Sequence, residues 1–274
     1  MIRLLSIEWL KLRRYRAFNI LMLLYYVVLI AVCASVMAFL AYIKSKGVQI
    51  KDLFDPTTIP FYDFPDIWQN LTYLATYLNV FPAFMIIISI TNDVAFKTMR
   101  QNIIDGLNRM DYFLSKFSFI FAVSLFSTLV IFITGLILGS VYSYDKSVEA
   151  MFSSSYFLLG FLLNNLSFFT FSFLLALLIK RTGIVIVLLG IYTFFAEPLT
   201  AVILENVKEL PQFCHEMTAY FPIKALNNLV PNPFGRYLFM EITDFISIKS
   251  LSIAFGQLSI YLTLIWLLLK KRDV

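Results

Sequence analysis

The chain alternates between long apolar stretches and short polar segments. Six stretches stand out, at about 18–43, 70–91, 115–142, 156–179, 183–204 and 250–269. Each is long enough for a spanning helix, which needs about 20 apolar residues to cross roughly 30 Å of hydrocarbon. The helical period inside them is weak, as expected of helices that are apolar on most sides. The pattern predicts an all-α polytopic membrane protein, with residues 1–274 forming one transmembrane domain of six helices. No internal repeat, low-complexity tract or soluble domain interrupts it.

Composition strengthens this reading. Sixty per cent of residues are hydrophobic and 14% are charged, whereas soluble domains carry about 25% charged residues. A basic head from Arg3 to Arg16 precedes the first apolar stretch. That stretch exceeds the 7–15 residues, roughly, of a secretory signal, so it is expected to remain in the bilayer as an anchor. Cys33 falls mid-span and Cys214 in a polar loop, so no disulfide is expected, and no metal-ligand spacing is present.

Charge gives the orientation. With the N-terminus inside, the inner segments hold 14 of the 22 basic residues and five acids, a net +9, while the outer loops carry eight basic and eleven acidic residues. Excess Lys and Arg mark the cytoplasmic side, so both termini are expected there. The basic balance then reflects topology and the anionic inner leaflet, not nucleic acid.

The polar segment from Thr91 to Gly106 reads as an amphipathic helix between spans two and three. Phe96, Met99, Ile103 and Leu107 share one helical face, expected to pack on the protein's own inner surface. Lys97, Arg100, Gln101 and Asp105 lie on the other, with Asn92 or Thr91 as cap, Asp93 in the first turn and Gly106 at the end. Val94 and Ile104 are apolar residues within the polar face. They suit anchoring in a partner's groove; a simple tether between two spans is the other reading. At the N-terminus, Ile2, Leu5, Trp9 and Leu12 form a stripe beside Lys11, Arg13, Arg14 and Arg16, as in a helix lying on the membrane surface.

Polar residues inside the spans are candidates for a pathway. Glu197, before Pro198, is either intramembrane or interfacial, depending on where span five ends. Asn164 and Asn165 make span four polar in part and suit helix–helix hydrogen bonds or a substrate site. Gly135 and Gly139 form a G-x-x-x-G compatible with close helix packing. The segment 205–249 has four prolines and apolar clusters and is expected to form short helices folded against the outer face. Aromatic residues Phe61, Tyr62, Phe64 and Trp68 fit an interfacial belt. An intramembrane enzyme needs a nucleophile with its base, or metal ligands. The one histidine, His215, lies in the outer loop, and no catalytic or metal set is visible.

Three features together resemble the permease subunit of type-2 ATP-binding-cassette (ABC) transporters. The opening Glu8-Trp9-Leu10-Lys11-Leu12-Arg13-Arg14 is similar to the Glu-x-x-Lys-x-x-Arg opening of that class. Asp93-x-x-x-Lys97-Thr98, followed by Arg109 and Lys116, resembles its Glu-x-x-x-Gly-Thr…Arg…Lys segment, with Asp93 in place of Glu and Lys97 in place of Gly. The third feature is six spans with a long structured loop before the last.

The resemblance implies a bacterial cytoplasmic-membrane exporter subunit, paired with a second copy or close homologue and driven by two copies of a separate ATPase. Residues 92–107 would be the coupling helix, with Asp93, Val94, Lys97, Arg100, Gln101 and Ile104 at the ATPase, and the N-terminal helix would touch it too. The chain has no G-x-x-x-x-G-K-S/T phosphate loop, so ATP and Mg belong to the partner and no cofactor is expected here. The alternative class is an ATP-independent transporter or a structural membrane protein, though no matching halves with broken helices are evident.

Overall fold

The computed structural model describes residues 8–11, 13, 15–46, 60–98, 101, 104, 106, 108–207, 211–233 and 245–271. Among them every regular element is helical. In chain order these are α1 (Arg16–Ser45), α2 (Ile67–Leu78), α3 (Val80–Ala95), α4 (Arg109–Tyr142), α5 (Val148–Phe152) and α6 (Tyr156–Ile179). Then come α7 (Thr182–Ile191), a π-helical turn (Tyr192–Ala196), α8 (Glu197–Asn206), α9 (Gln212–Met217), α10 (Pro222–Asn227) and α11 (Ile248–Lys271).

Five stretches are long and apolar enough to cross a membrane: Phe18–Phe39, Arg109–Tyr142, Val148–Ile179, Thr182–Asn206 and Ile248–Lys271. The pair α2 and α3, bent by 42° at Asn79, meets the same test only when taken together, as a broken span or a re-entrant pair, so the count is five or up to six; the pair is numbered crossing two below. The bend follows from Pro82, which cannot donate to the carbonyl four residues earlier and so breaks the helical ladder at Leu78. Crossing five, read from the sequence as a plain helix over 183–204, carries a π-helical turn and continues through Pro198 to Asn206.

Side-chain bonds show how the ends assemble. At one end Lys116 meets Glu8 and Asp93, Arg109 donates to the Lys270 carbonyl, and Thr91 bonds Thr182 at 2.7 Å. The basic segments of the sequence thus converge, and this is called the basic end below. At the opposite end the Tyr144 N–H donates to Asp63 at 2.8 Å. There too the Phe64 N–H donates to Ser143 at 3.1 Å and Trp68 donates to the Met151 carbonyl at 2.7 Å.

Lipid tails are as apolar as a leucine side chain, so packing and hydrogen bonds hold such helices together. One apolar cluster surrounds α3, α6 and α11, including Ile87, Phe169, Phe173 and Ile265. A second joins α1, α2, α4 and α6 through Leu29, Trp68, Ile131 and Phe161. Gly135 and Gly139 serve this second cluster. They make room for aromatic rings of α2 and its approach, since a Cβ at Gly135 would fall 2.6 Å from the Trp68 ring and one at Gly139 would strike the Phe64 ring. Phe61, Tyr62, Phe64 and Trp68, expected as an interfacial belt, are all buried.

Candidate functional site: a buried charge cluster at the basic end

Lys116 stands two turns into α4 and is 2% exposed. An isolated ammonium there would be costly, and the fold surrounds it with acceptors. Its Nζ lies 2.6 Å from Asp93 Oδ2 and 2.8 Å from Glu8 Oε2. It also donates to Ser89 Oγ at 3.1 Å and sits 5.6 Å from the Tyr112 ring centre.

Each acid has further partners. Ser115 Oγ donates to Glu8 Oε1 at 3.2 Å, and Tyr112 Oη donates to Asp93 Oδ2 at 3.4 Å. Lys11, more exposed, reaches Glu8 at 3.5 Å and Asp93 at 3.8 Å. Two carboxylates and two ammonium groups balance one another. Burial pushes the Glu8 carboxyl up, but Lys116 and Lys11, with hydrogen bonds from Lys116 and Ser115, hold it below its ordinary 4.5.

Local structure brings these groups together. Residues 8–11 are helical, which places Glu8 and Lys11 one turn apart on one face. Helix α3 runs on to Ala95, so Asp93 projects from its last turn. At the start of α4 the Asp111 carboxylate accepts from the Asn108 N–H at 3.1 Å. Three chain segments are therefore cross-linked: the N-terminal helix, the end of crossing two and the start of crossing three. A cavity of about 210 Å³ beside the cluster is lined by Glu8, Lys11, Tyr15, Asp93, Phe96 and Lys116 among others.

Several expectations are corrected here. The helix expected over 92–107 does not begin at Asn92, because Asn92, Asp93 and Val94 complete α3. The chain turns at Phe96 and Lys97 and is helical again at Thr98, Gln101 and Ile104. Asp93 faces inward to Lys116 instead of outward to a partner. Phe96, expected to pack on the protein, is 76% exposed, because it falls in the turn that follows the end of α3.

Lys97, Gln101 and Ile104 are exposed and Val94 is half-buried. Met99, Arg100, Ile103, Asp105 and Leu107 lie outside the described residues, as do Ile2, Leu5, Leu12 and Arg14. In the N-terminal helix Trp9 and Arg13 are exposed while Glu8 is buried.

Lys97 has φ 54°, a left-handed conformation that costs a non-glycine residue roughly 1–2 kcal/mol. This is the position where the resembling motif carries glycine. Gly106, expected to end the segment, has φ 96°.

The other candidates lie elsewhere. Glu197, left open between an intramembrane and an interfacial position, is buried within crossing five at the start of α8. Its Oε1 accepts from the backbone N–H groups of Ile223 at 2.7 Å and Lys224 at 2.6 Å. It thereby caps α10, which folds back into the bundle. Asn164 bridges elements, accepting from Asn79 Nδ2 at 3.2 Å and donating to the Leu226 carbonyl at 2.9 Å. Asn165 is fully buried. The hydroxyls of Thr170 and Ser172 donate to their own helix, to the Leu166 and Phe168 carbonyls.

The cluster itself was missed at the sequence level. Its signal is a lone lysine at the head of a long apolar helix, which needs buried counter-charges from other inner segments. Cys33 and Cys214 are free, and among the described residues no group of side chains is arranged to hold a metal ion. Neither a family model nor a curated protein sequence matches the chain.

Proposed function

We propose that the chain is the membrane-spanning permease subunit of an ABC transporter of the exporter class. In this reading a separate ATPase subunit, which holds ATP and Mg, drives it. Two permease copies, or this chain with a close homologue, form the pathway in the cytoplasmic membrane, with both termini and the link after α3 on the cytoplasmic side.

The observation that carries the reading is the Glu8–Lys116–Asp93 cluster. It joins three segments where a short link leaves the bundle and exposes Lys97, Gln101 and Ile104. A force applied to that link is passed to crossings two and three and to the N-terminal helix together, because their charges cannot separate cheaply. Any such shift requires the ATPase to bind the two arrangements with different affinity.

The test is affinity purification of the tagged chain from its native membrane, with co-purifying proteins identified by mass spectrometry. An ATPase with a phosphate loop is expected. Ile104→Asp and Lys97→Glu should lower its recovery about tenfold or more at equal membrane levels, the usual consequence of losing a buried anchor. Absence of any such ATPase, or full recovery with both variants, sinks the reading.

A further inference from the structure

The cavity beside the charge cluster, of about 210 Å³, lies between the end of α3 and the N-terminal helix with the start of α1. Its two walls grade in polarity in the same direction. On α3 the lining residues Met85, Ile88, Ser89, Asn92 and Asp93 follow the spacing of one helical face. That face passes from apolar to polar toward the basic end. On the other wall Lys11 and Tyr15 stand at the basic end, and Phe18 and Leu21 follow within α1. A ligand that matches both walls is amphiphilic, with its polar part at the basic end. Leu21 is 37% exposed, which gives the apolar part a way out to lipid. The volume is below the roughly 300–1,000 Å³ of pockets that enclose a whole small molecule, which suits a headgroup whose chains lie outside.

The accessible polar groups define that head. Tyr15 is exposed and Asn92 is half-buried. Among the described residues neither the Tyr15 hydroxyl nor the Asn92 side-chain amide has a hydrogen-bond partner. The Lys11 side chain is 30% exposed, and its hydrogen bond to Glu8 is long, at 3.5 Å. An ammonium has three donors, so Lys11 has some to spare for an acceptor-rich group such as a phosphate. A bare anion would upset a cluster in which two carboxylates and two ammonium groups balance. A head that carries its own cation does not. Asp93 keeps Oδ2 on Lys116 at 2.6 Å, while its Oδ1 has Lys11 at 3.8 Å, beyond hydrogen-bond range. An entering ammonium takes that oxygen as Lys11 turns to the phosphate, and the charges stay balanced. Lys and Arg near the ends of crossings reach the membrane surface, and Arg13, Arg16 and Lys97 are exposed at this end, which places the cavity at the level of lipid heads.

We infer that this cavity binds the head of a zwitterionic phospholipid that carries a primary ammonium. Lys11, Asn92 and Tyr15 donate to its phosphate, its ammonium donates to Asp93 Oδ1, and its chains leave past Leu21. The inference does not rest on the permease reading: binding uses this chain and lipid alone, and its test is separate from the recovery of an ATPase.

The test uses the purified full chain in phosphatidylcholine nanodiscs with a trace of phosphatidylethanolamine carrying a photoactivatable acyl chain. The host lipid has no ammonium N–H to donate. Labelling that unlabelled phosphatidylethanolamine displaces should map to peptides carrying residues 15–21 or 85–92. Phosphatidylglycerol, which lacks the ammonium, should displace it about threefold less well or worse. Glycerophosphoethanolamine, the same head without chains, distinguishes the source. It should compete about tenfold less well or worse, because it buries no chain against Phe18 and Met85. Competition equal to that of the lipid would assign a solute and overturn the lipid assignment. Tyr15→Phe and Asn92→Leu each remove a polar group without breaking a hydrogen bond among the described residues. Their melting temperatures should stay unchanged while displaceable labelling weakens by about threefold to tenfold, the loss of one hydrogen bond. Equal displacement by phosphatidylglycerol, unchanged labelling in both variants, or displaceable labelling absent from these peptides would overturn the inference.

Discussion

Both ends of the bundle bury carboxylates, and they partner them by different means. Glu8 is held by side-chain charges, Lys116 and Lys11, that arrive from distant parts of the chain and from its own turn. Glu197 is held by two backbone N–H groups at the start of α10, where the exposed donors and the helix dipole favour an anion. The first arrangement ties together segments that the chain alone does not keep close. The second folds one short helix back against its own crossing. A charge cluster depends on every member being present, whereas a backbone cap depends on one side chain only. The basic end is therefore the end more sensitive to a single substitution, and the end suited to passing a displacement between segments.

The largest expected effect comes from breaking the cluster. Lys116→Met leaves Glu8 and Asp93 buried against each other without their shared ammonium. Removing one member of a buried pair costs about 3–5 kcal/mol, so the variant should lose most of its thermal stability in detergent or fail to accumulate in the membrane. Combining it with Glu8→Gln should recover part of the loss, and no recovery would mean that the two residues act separately.

Acid probes the same end. The Glu8 carboxyl is depressed below 4.5 by its cations. A depressed carboxylate stabilises the fold above its unfolded pKa, and that contribution is lost as pH falls through the folded value. Stability should therefore fall below about pH 4.5, and the melting temperature of Glu8→Gln should depend less steeply on pH in that range.

An intermediate effect is expected at the opposite end. Glu197→Gln keeps an acceptor for the α10 N–H groups but removes its charge. Charge-assisted bonds are worth about 1.5–3 kcal/mol and neutral ones about 0.5–1.5, so the loss should be near 1–2 kcal/mol. Faster proteolysis within 211–233, with the crossings intact, is the measurement. A loss as large as that of Lys116→Met would erase the contrast between the two ends.

The smallest effect concerns the link itself. Lys97→Gly relieves the left-handed conformation and should be tolerated, stabilising by up to about 1 kcal/mol, measured as a rise in melting temperature. Combined with the pull-down described above, it separates strain at the turn from contact by the lysine. A destabilised Lys97→Gly would mean that the side chain, not the backbone, matters there.

Much was legible in the sequence because it is written locally. The six apolar stretches and the segregation of Lys and Arg are properties of short windows, and they led to the helical crossings and to the convergence of the basic segments. Helices at α9 and α10 were foreseen from the prolines and apolar clusters of 205–249. The end of α3 was misread, since an amphipathic period continues through a turn that only backbone geometry reveals. Residues 91–95 fit a spanning helix as well as a surface one, and the left-handed residue at Lys97 decides between them.

By itself, then, the sequence determined an all-helical class, the apolar stretches that form five or six helices long enough to cross a membrane, and which basic segments share an end. Those follow from hydrophobic length and from charge, which act on each segment separately. Only the tertiary structure decided that Glu8, Asp93 and Lys116 neutralise one another, that Glu197 caps a returning helix, and that Asn164 joins Asn79 to the Leu226 carbonyl. Residues separated by 108 positions, as Glu8 and Lys116 are, carry no local record of meeting. Their partnership arises because a buried charge must find a counter-charge wherever packing brings one within reach.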